Sequence, residues 1–219
     1  MAHRPEVDWT LYLVADPAIC GGRALECVVE QAVRGGVTVV QLRDKECATG
    51  EYVEHGRRLL GLLGPLGVPL IINDRPDVAL AVGAEGVHLG QSDMPIDAAR
   101  RLLGENALIG LTVDAAGQAL AEAAALSDYL GVGPIFPTST KADTAPEWGC
   151  EGLESLRRRT RNVLVAIGGV NASNAADVIC AGADGIAVVS AICSAPDPRL
   201  AAEELRRTIE CGRRASDSL

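Results

Sequence analysis

The stretch Val163–Ser190, VLVAIGGVNASNAADVICAGADGIAVVS, holds one complete structural unit. A short apolar, β-branched run, Val163 to Ile167, reads as a buried strand, and Ala172 to Cys180 reads as a helix. Ala181-Gly182-Ala183 supplies a glycine where a helix ends in a left-handed residue, and Gly185 to Val189 reads as the next strand. Strand, helix and strand in this order form a parallel βαβ unit.

Working outward, the same alternation predicts strands at Leu11 to Ala15, Val37 to Leu42, Pro69 to Asn73, Gly86 to Leu89, Leu108 to Thr112 and Tyr129 to Gly133. With the two already read, these make eight. Helices are expected at Ala24 to Arg34, Glu51 to Leu63, Pro76 to Val82, Ile96 to Leu103 and Ala115 to Leu126, with one more from about Glu151 and a last one over Arg199 to Cys211. Eight such units in 219 residues imply α/β class and a single (β/α)8 barrel spanning residues 1–219. Residues 1–10 are then an N-terminal extension and 212–219 a disordered tail. An open doubly wound sheet needs a glycine-rich first turn, and Asp16-Pro17-Ala18 is not one.

Composition agrees and excludes. Apolar residues make up 48% of the chain and aromatics 3%, so the interior is expected to be filled mainly by Val, Leu, Ile and Ala. A net charge of −9 argues against a nucleic-acid or anionic-membrane surface. Any bound phosphate must therefore meet a local site. Arg4, Glu6 and Asp8 interrupt any apolar leader region, and no apolar run approaches the ~18 residues of a spanning helix. Seven cysteines without a C-x-x-C pair read as reduced thiols of a cytoplasmic protein.

In such a barrel the chemistry gathers at the C-terminal ends of the strands. The second strand runs into Gln41-Leu42-Arg43-Asp44-Lys45, where alternation sends Gln41, Arg43 and Lys45 to one side and Leu42 to the other. A guanidinium and an ammonium can clamp a pyrophosphate, or can form a structural ion pair with Asp44. Asp74 ends the third strand and either caps the following helix or works with Asp93 after the fourth. Two carboxylates on neighbouring loops, with substrate phosphate, suit Mg2+. His88 reads as a packed or hydrogen-bonded core residue. Thr112 offers a hydroxyl after the fifth strand, and Asp114 reads as a helix cap.

The sixth strand opens into Gly133-Pro134-Ile135-Phe136-Pro137-Thr138-Ser139-Thr140-Lys141, whose hydroxyls and ammonium can hold phosphate or can form a solvated surface loop. Gly168-Gly169 and Val189-Ser190 end the last two strands, a common position for a phosphate bound by backbone N–H groups. Arg157-Arg158-Arg159 reads as a solvated helix face.

Taken together, Gln41-Leu42-Arg43-Asp44-Lys45, Ile72-Asn73-Asp74-Arg75, Gly86 to Asp93, Gly131 to Phe136 with Thr138 to Lys141, Ile167-Gly168-Gly169 and Gly185 to Ser190 resemble the thiamine phosphate synthase family over nearly the whole chain. The resemblance implies a (β/α)8 barrel that joins hydroxymethylpyrimidine pyrophosphate to a thiazole phosphate, or its carboxylated form. It implies pyrimidine pyrophosphate contacts at Gln41, Arg43, Lys45, Asn73 and Lys141, further substrate contacts at Leu42, Asp44, Thr112 and Ser139, and magnesium ligands at Asp74 and Asp93. It places thiazole phosphate contacts at Thr138, Thr140, Gly169, Val189 and Ser190. Arg43, Lys45, Lys141 and Thr112 are the implied catalytic residues in a dissociative substitution. Ala15 and Thr112 depart from the residues expected of the family at those positions. A thiazole tautomerase, which needs no pyrophosphate clamp, and a non-catalytic phosphometabolite sensor are the alternatives.

Overall fold

In the computed structural model, which describes residues 6–138 and 146–216, eight strands close into one parallel barrel. In chain order the elements are β1 Leu11–Ala15, α1 Leu25–Arg34, β2 Val39–Leu42, α2 Thr49–Leu63, β3 Leu70–Asn73, α3 Pro76–Val82, β4 Gly86–Leu89, α4 Ile96–Leu103 and β5 Leu108–Val113. Then follow α5 Ala116–Ala119, α6 Glu122–Ala125, β6 Tyr129–Val132, α7 Gly149–Arg157, β7 Leu164–Ile167, α8 Ala175–Cys180, β8 Gly185–Val188, α9 Ser190–Cys193 and α10 Pro198–Ser216. Closure is made by β8 on β1, with Leu11 opposite Ile186 and Leu13 opposite Val188.

The period of two along each strand divides the apolar residues into two layers. Leu11, Leu13, Val40, Leu42, Leu70, Ile72, Ile109, Leu130 and Leu164 face outward and pack under the helices. Tyr12, Val14, Val39, Ile71, Leu108, Tyr129, Val165 and Ala187 fill the barrel itself, with Trp9 partly buried against them. The outer layer has the aliphatic composition expected. The inner layer is mainly aliphatic too, through Val14, Val39, Ile71, Leu108, Val165 and Ala187, and adds Tyr12 and Tyr129. Trp9 and Tyr12 lie 4.4 and 5.8 Å from the Tyr129 ring centre. Glycine makes the room: a Cβ on Gly110 would stand 2.2 Å from Tyr129 Cζ and 2.5 Å from His88 Nδ1.

Two helical expectations are corrected. The single helix predicted over Ala115 to Leu126 forms as the two short pieces α5 and α6, separated where Ala121 turns extended. Its residues offer few anchors, since Ala119 and Ala124 are buried whereas Leu120 and Leu126 are exposed. The tail predicted from residue 212 continues as helix to Ser216. Gly212 is buried so close to α8 that a Cβ would lie 2.7 Å from the Ala176 carbonyl oxygen. Arg213 then fastens the helix by donating to Thr10 Oγ1 (2.7 Å) and the Asp184 carbonyl (2.9 Å). No helix among the described residues is long and apolar enough to cross a membrane.

Candidate active site

Closure of the barrel brings the ends of β1 to β4 side by side, and the charged residues that follow them interlock. Arg43 donates its backbone N–H to the Ala15 carbonyl (2.9 Å), and its guanidinium pairs with the Asp16 carboxylate. Lys45 Nζ lies 3.2 Å from Asp74 Oδ2. Neither cation takes the adjacent Asp44 as its ion-pair partner; both reach across to a carboxylate on another strand end. Asp16 is a site residue that the sequence pattern did not single out. It also accepts from Ala18 N (3.0 Å), which caps the 3-10 turn Pro17–Ile19 and fixes the carboxylate that holds Arg43.

Asp74 is the one non-glycine residue with positive φ among the described residues, at 61°. A non-glycine residue in the left-handed region costs energy that the surroundings must over-determine. Here its backbone N–H is held by the His88 carbonyl at 2.8 Å and its side chain by Lys45. The capping expectation is corrected, because the N-cap of α3 is Arg75 and carries no side-chain cap bond. At α5 the polarity is reversed as well: Asp114 donates its N–H to Gln118 Oε1 at 2.9 Å instead of capping.

Asp93 Oδ2 accepts from Gly90 N at 2.7 Å. Its carboxyl is pushed above the usual carboxylate range, first by burial and then by the neighbouring Asp74, with Gly90 N–H and Lys45 pulling back. Asp74 and Asp93 are thus brought together at the rim. Two hard oxygen donors, one of them driven toward protonation by burial and then by its neighbour, are a donor set that a hard divalent cation would satisfy.

Asn73 is buried at the end of β3, and Tyr52 of α2 ties the strand ends together by hydrogen-bonding the carbonyls of Leu42 (2.8 Å) and Asn73 (3.2 Å). Leu42 presents its backbone at the rim, its side chain being buried in the outer layer. Asp44 is not brought to the charged group: its carboxylate accepts from the N–H groups of Glu46 and Cys47, both at 3.2 Å, and faces His55.

Below the rim runs a polar chain through the barrel. Gln41 Nε2 donates to Tyr12 Oη (2.8 Å), Tyr12 Oη lies 2.8 Å from Tyr129 Oη, His88 Nδ1 lies 2.9 Å from Tyr129 Oη, and His88 Nε2 lies 2.7 Å from Thr112 Oγ1. Both tautomers of His88 can satisfy every link, and with the Nε2–H form the proton order is as follows. Tyr12 donates to Tyr129, Tyr129 donates to His88 Nδ1, and the Nε2–H tautomer of His88 donates to Thr112. The Thr112 hydroxyl proton is thereby left for another acceptor. His88 is the hydrogen-bonded core residue its strand position predicts.

On the opposite side, β7 pairs with β8, which sets Gly168-Gly169 beside Val189-Ser190. Gly168 and Gly169 both have positive φ, 92° and 67°. A Cβ on Gly169 would lie 2.7 Å from Phe136 Cβ, so glycine permits the loops after β6 and β7 to touch. Ser190 opens α9. Thr138 precedes the segment 139–145, and Ser139, Thr140 and Lys141 lie outside the described residues.

Comparison with known proteins shows the family. The family model described as thiamine monophosphate synthase matches residues 11–192. The thiamine-phosphate synthase of Albidiferax ferrireducens is 55% identical over 200 residues, covering 91% of each chain. That of Chloroflexus aurantiacus is 51% identical over 203 residues, 93% of this chain and 94% of the relative. A solved thiamine phosphate pyrophosphorylase from Pyrococcus furiosus superposes with a TM-score of 0.84 at 40% identity, covering 93% of this chain and 96% of that one.

Proposed function

The chain belongs to the thiamine monophosphate synthase family and is a transferase, and from that premise we propose that it joins hydroxymethylpyrimidine pyrophosphate to a thiazole phosphate, or its carboxylated form, yielding thiamine phosphate and pyrophosphate, with CO2 released and a proton taken up at the thiazole carbon when the carboxylated form is used. The observation that carries this reading is the convergence of Arg43 and Lys45 with Asp16, Asp74 and Asp93 at the ends of β1 to β4. A tautomerase that grips only a thiazole phosphate has no need of that group.

Arg43 and Lys45, joined by Lys141, bind the pyrophosphate oxygens, with Asp16 holding the guanidinium in place. Asp74 and Asp93 would hold Mg2+, whose charge when bound offsets that of the departing pyrophosphate. The bond from the pyrimidine methylene carbon to the pyrophosphate oxygen breaks with its electron pair going to pyrophosphate, and the thiazole nitrogen then gives its lone pair to the methylene cation. No proton moves in that step, so no general base is required. Gln41, Asn73 and Thr112 orient the pyrimidine, while Gly169, Val189 and Ser190, with Thr138 and Thr140, take the thiazole phosphate. Catalysis is then mostly electrostatic, and one well-aimed donor of this kind contributes roughly 3 to 4 kcal/mol.

The test is incubation of the protein with both phosphorylated halves, with and without Mg2+, monitoring thiamine phosphate and pyrophosphate. Both products are expected only with metal, and with Lys141→Ala turnover is expected to fall while the fold is kept. Product formed equally well without metal overturns the role of Asp74 and Asp93. Isomerisation of the thiazole alone overturns the synthase reading.

A further inference from the structure

Beside the charged group, but turned away from it, Asp44, Cys47 and His55 form a second cluster. A carboxylate oxygen of Asp44, the Cys47 sulfur and a ring nitrogen of His55 all lie within 4.8 Å of one another. Asp44 and Cys47 sit in the loop between β2 and α2, and His55 projects from α2 toward it. All three are partly buried.

The nitrogen His55 Nδ1 is buried and has no hydrogen-bond partner among the described residues. Asp44 Oδ2 is 3.8 Å away, beyond hydrogen-bonding reach. A buried, unpaired ring nitrogen loses its hydration without compensation. Asp44 Oδ1 is oriented by the Glu46 and Cys47 N–H groups at 3.2 Å, which leaves Oδ2 directed at His55.

We propose that Asp44, Cys47 and His55 bind a borderline-soft divalent cation of the zinc class, separate from the carboxylate pair Asp74 and Asp93. One sulfur, one imidazole nitrogen and one carboxylate oxygen are the mixed donors that such ions prefer and that Mg2+ does not. Metal–ligand bonds of about 2.0 to 2.3 Å imply ligand separations of roughly 3.5 Å in a tetrahedron. The cluster must therefore contract by roughly 1 Å on binding the ion. Three protein ligands leave the fourth position to water. Binding breaks the Cys47 S–H bond, forms the S–metal bond and releases the proton to solvent, so affinity rises with pH. Burial and the Asp44 carboxylate push that thiol up to about 11 without a cation, and a bound dication reverses the Asp44 contribution. The bound ion would tie the loop carrying Arg43 and Lys45 to α2.

The test uses the full chain, stripped with a chelator and titrated with Co2+ in excess Mg2+ and without either substrate, so that it does not depend on synthase activity. Expected is one cobalt per chain with thiolate-to-cobalt charge transfer in the near ultraviolet and tetrahedral bands in the visible, abolished by Zn2+. Circular dichroism verifies that each variant is folded. The signal is expected to vanish in folded Cys47→Ser and His55→Gln, and to survive in Asp74→Asn. Absence of the signal in the folded wild type overturns the proposal. So does its persistence in both Cys47→Ser and His55→Gln, which would assign it to other cysteines, or its loss in Asp74→Asn, which would assign it to the rim carboxylates.

Discussion

The phenol oxygens of Tyr12 and Tyr129 lie 2.8 Å apart inside the barrel, and this contact joins Gln41 on β2 to Thr112 on β5 through a single hydrogen-bonded chain. The two tyrosines are 117 residues apart in sequence, so only the closed barrel brings them together. Each end of the chain is a residue assigned to the pyrimidine. A polar core of this kind fixes side chains that would otherwise rotate at the mouth of the site.

Removing the central hydroxyl tests that role. Tyr129→Phe keeps the ring but leaves Tyr12 Oη and His88 Nδ1 each short of a partner in a buried setting, so stability should fall by about 1 to 3 kcal/mol in denaturant unfolding. With the His88 ring that bonds Thr112 no longer anchored at Nδ1, kcat should fall as well. A variant as stable and active as wild type would show the chain to be incidental.

All three tyrosines of the chain are engaged in this way, Tyr52 at the carbonyls of Leu42 and Asn73, and burial raises the pKa of each above the usual phenol value of 10.0. The folded state thus keeps the phenol protons while the unfolded chain loses them above that pH. Stability conferred at lower pH is lost as pH rises past 10.0, by about 1.4 kcal/mol per pH unit for each tyrosine. Tyrosinate absorbance should consequently appear in one cooperative step together with loss of circular dichroism. Gradual ionisation near pH 10.0 in a protein that stays folded would contradict the burial.

The strands were legible to within about two residues because their signal is local: a short apolar run, a helix, then a glycine turn. The alternation that sends Gln41 inward and Leu42 outward is equally local. What escaped the sequence is set by contacts between elements distant in the chain. That Arg43 takes Asp16 as partner instead of its neighbour Asp44 depends on β1 pairing with β2. The place of Tyr129 in the interior depends on the room left by Gly110, and no composition average reveals it. α10 outlasted its predicted end because Gly212 is small enough to pack on Ala176, a packing reason that a lone glycine in a polar segment does not announce.

The Asp16–Arg43 pair gives a functional test of a residue that the motifs did not include. Asp16→Asn can still accept from Ala18 N, so the turn survives, but the charge that orients the guanidinium is gone. For the pyrimidine pyrophosphate, kcat/KM should drop about 10- to 100-fold, or about 1.4 to 2.7 kcal/mol of transition-state stabilisation, from misplacement of a phosphate clamp. The thiazole phosphate KM should hardly move, since that substrate is assigned to the other side of the rim. Equal losses for both substrates would indicate general damage to the barrel instead.

The carboxylate pair makes the sharpest test of metal binding, because pH and Mg2+ act on it in opposite senses. Asp93 has its pKa raised by burial and by Asp74, so between the unfolded value of 3.8 and the higher folded value the folded protein holds the extra proton. The stability associated with the protonated form is fully present below 3.8 and is lost as pH rises through the folded value. Asp93→Asn keeps an oxygen to accept from Gly90 N and resembles the protonated acid. In chelator at neutral pH it should therefore be more stable than wild type, and this advantage should shrink as pH falls toward 3.8. Added Mg2+ should invert the order, since binding to the native state alone stabilises wild type by about 2.7 kcal/mol at a hundred times its Kd, whereas the variant has lost one ligand. Denaturant midpoints across pH, with and without Mg2+, read both effects. If Asn at this position weakens the metal-free protein at every pH, or leaves the magnesium response intact, Asp74 and Asp93 are not the repelling pair that a cation joins.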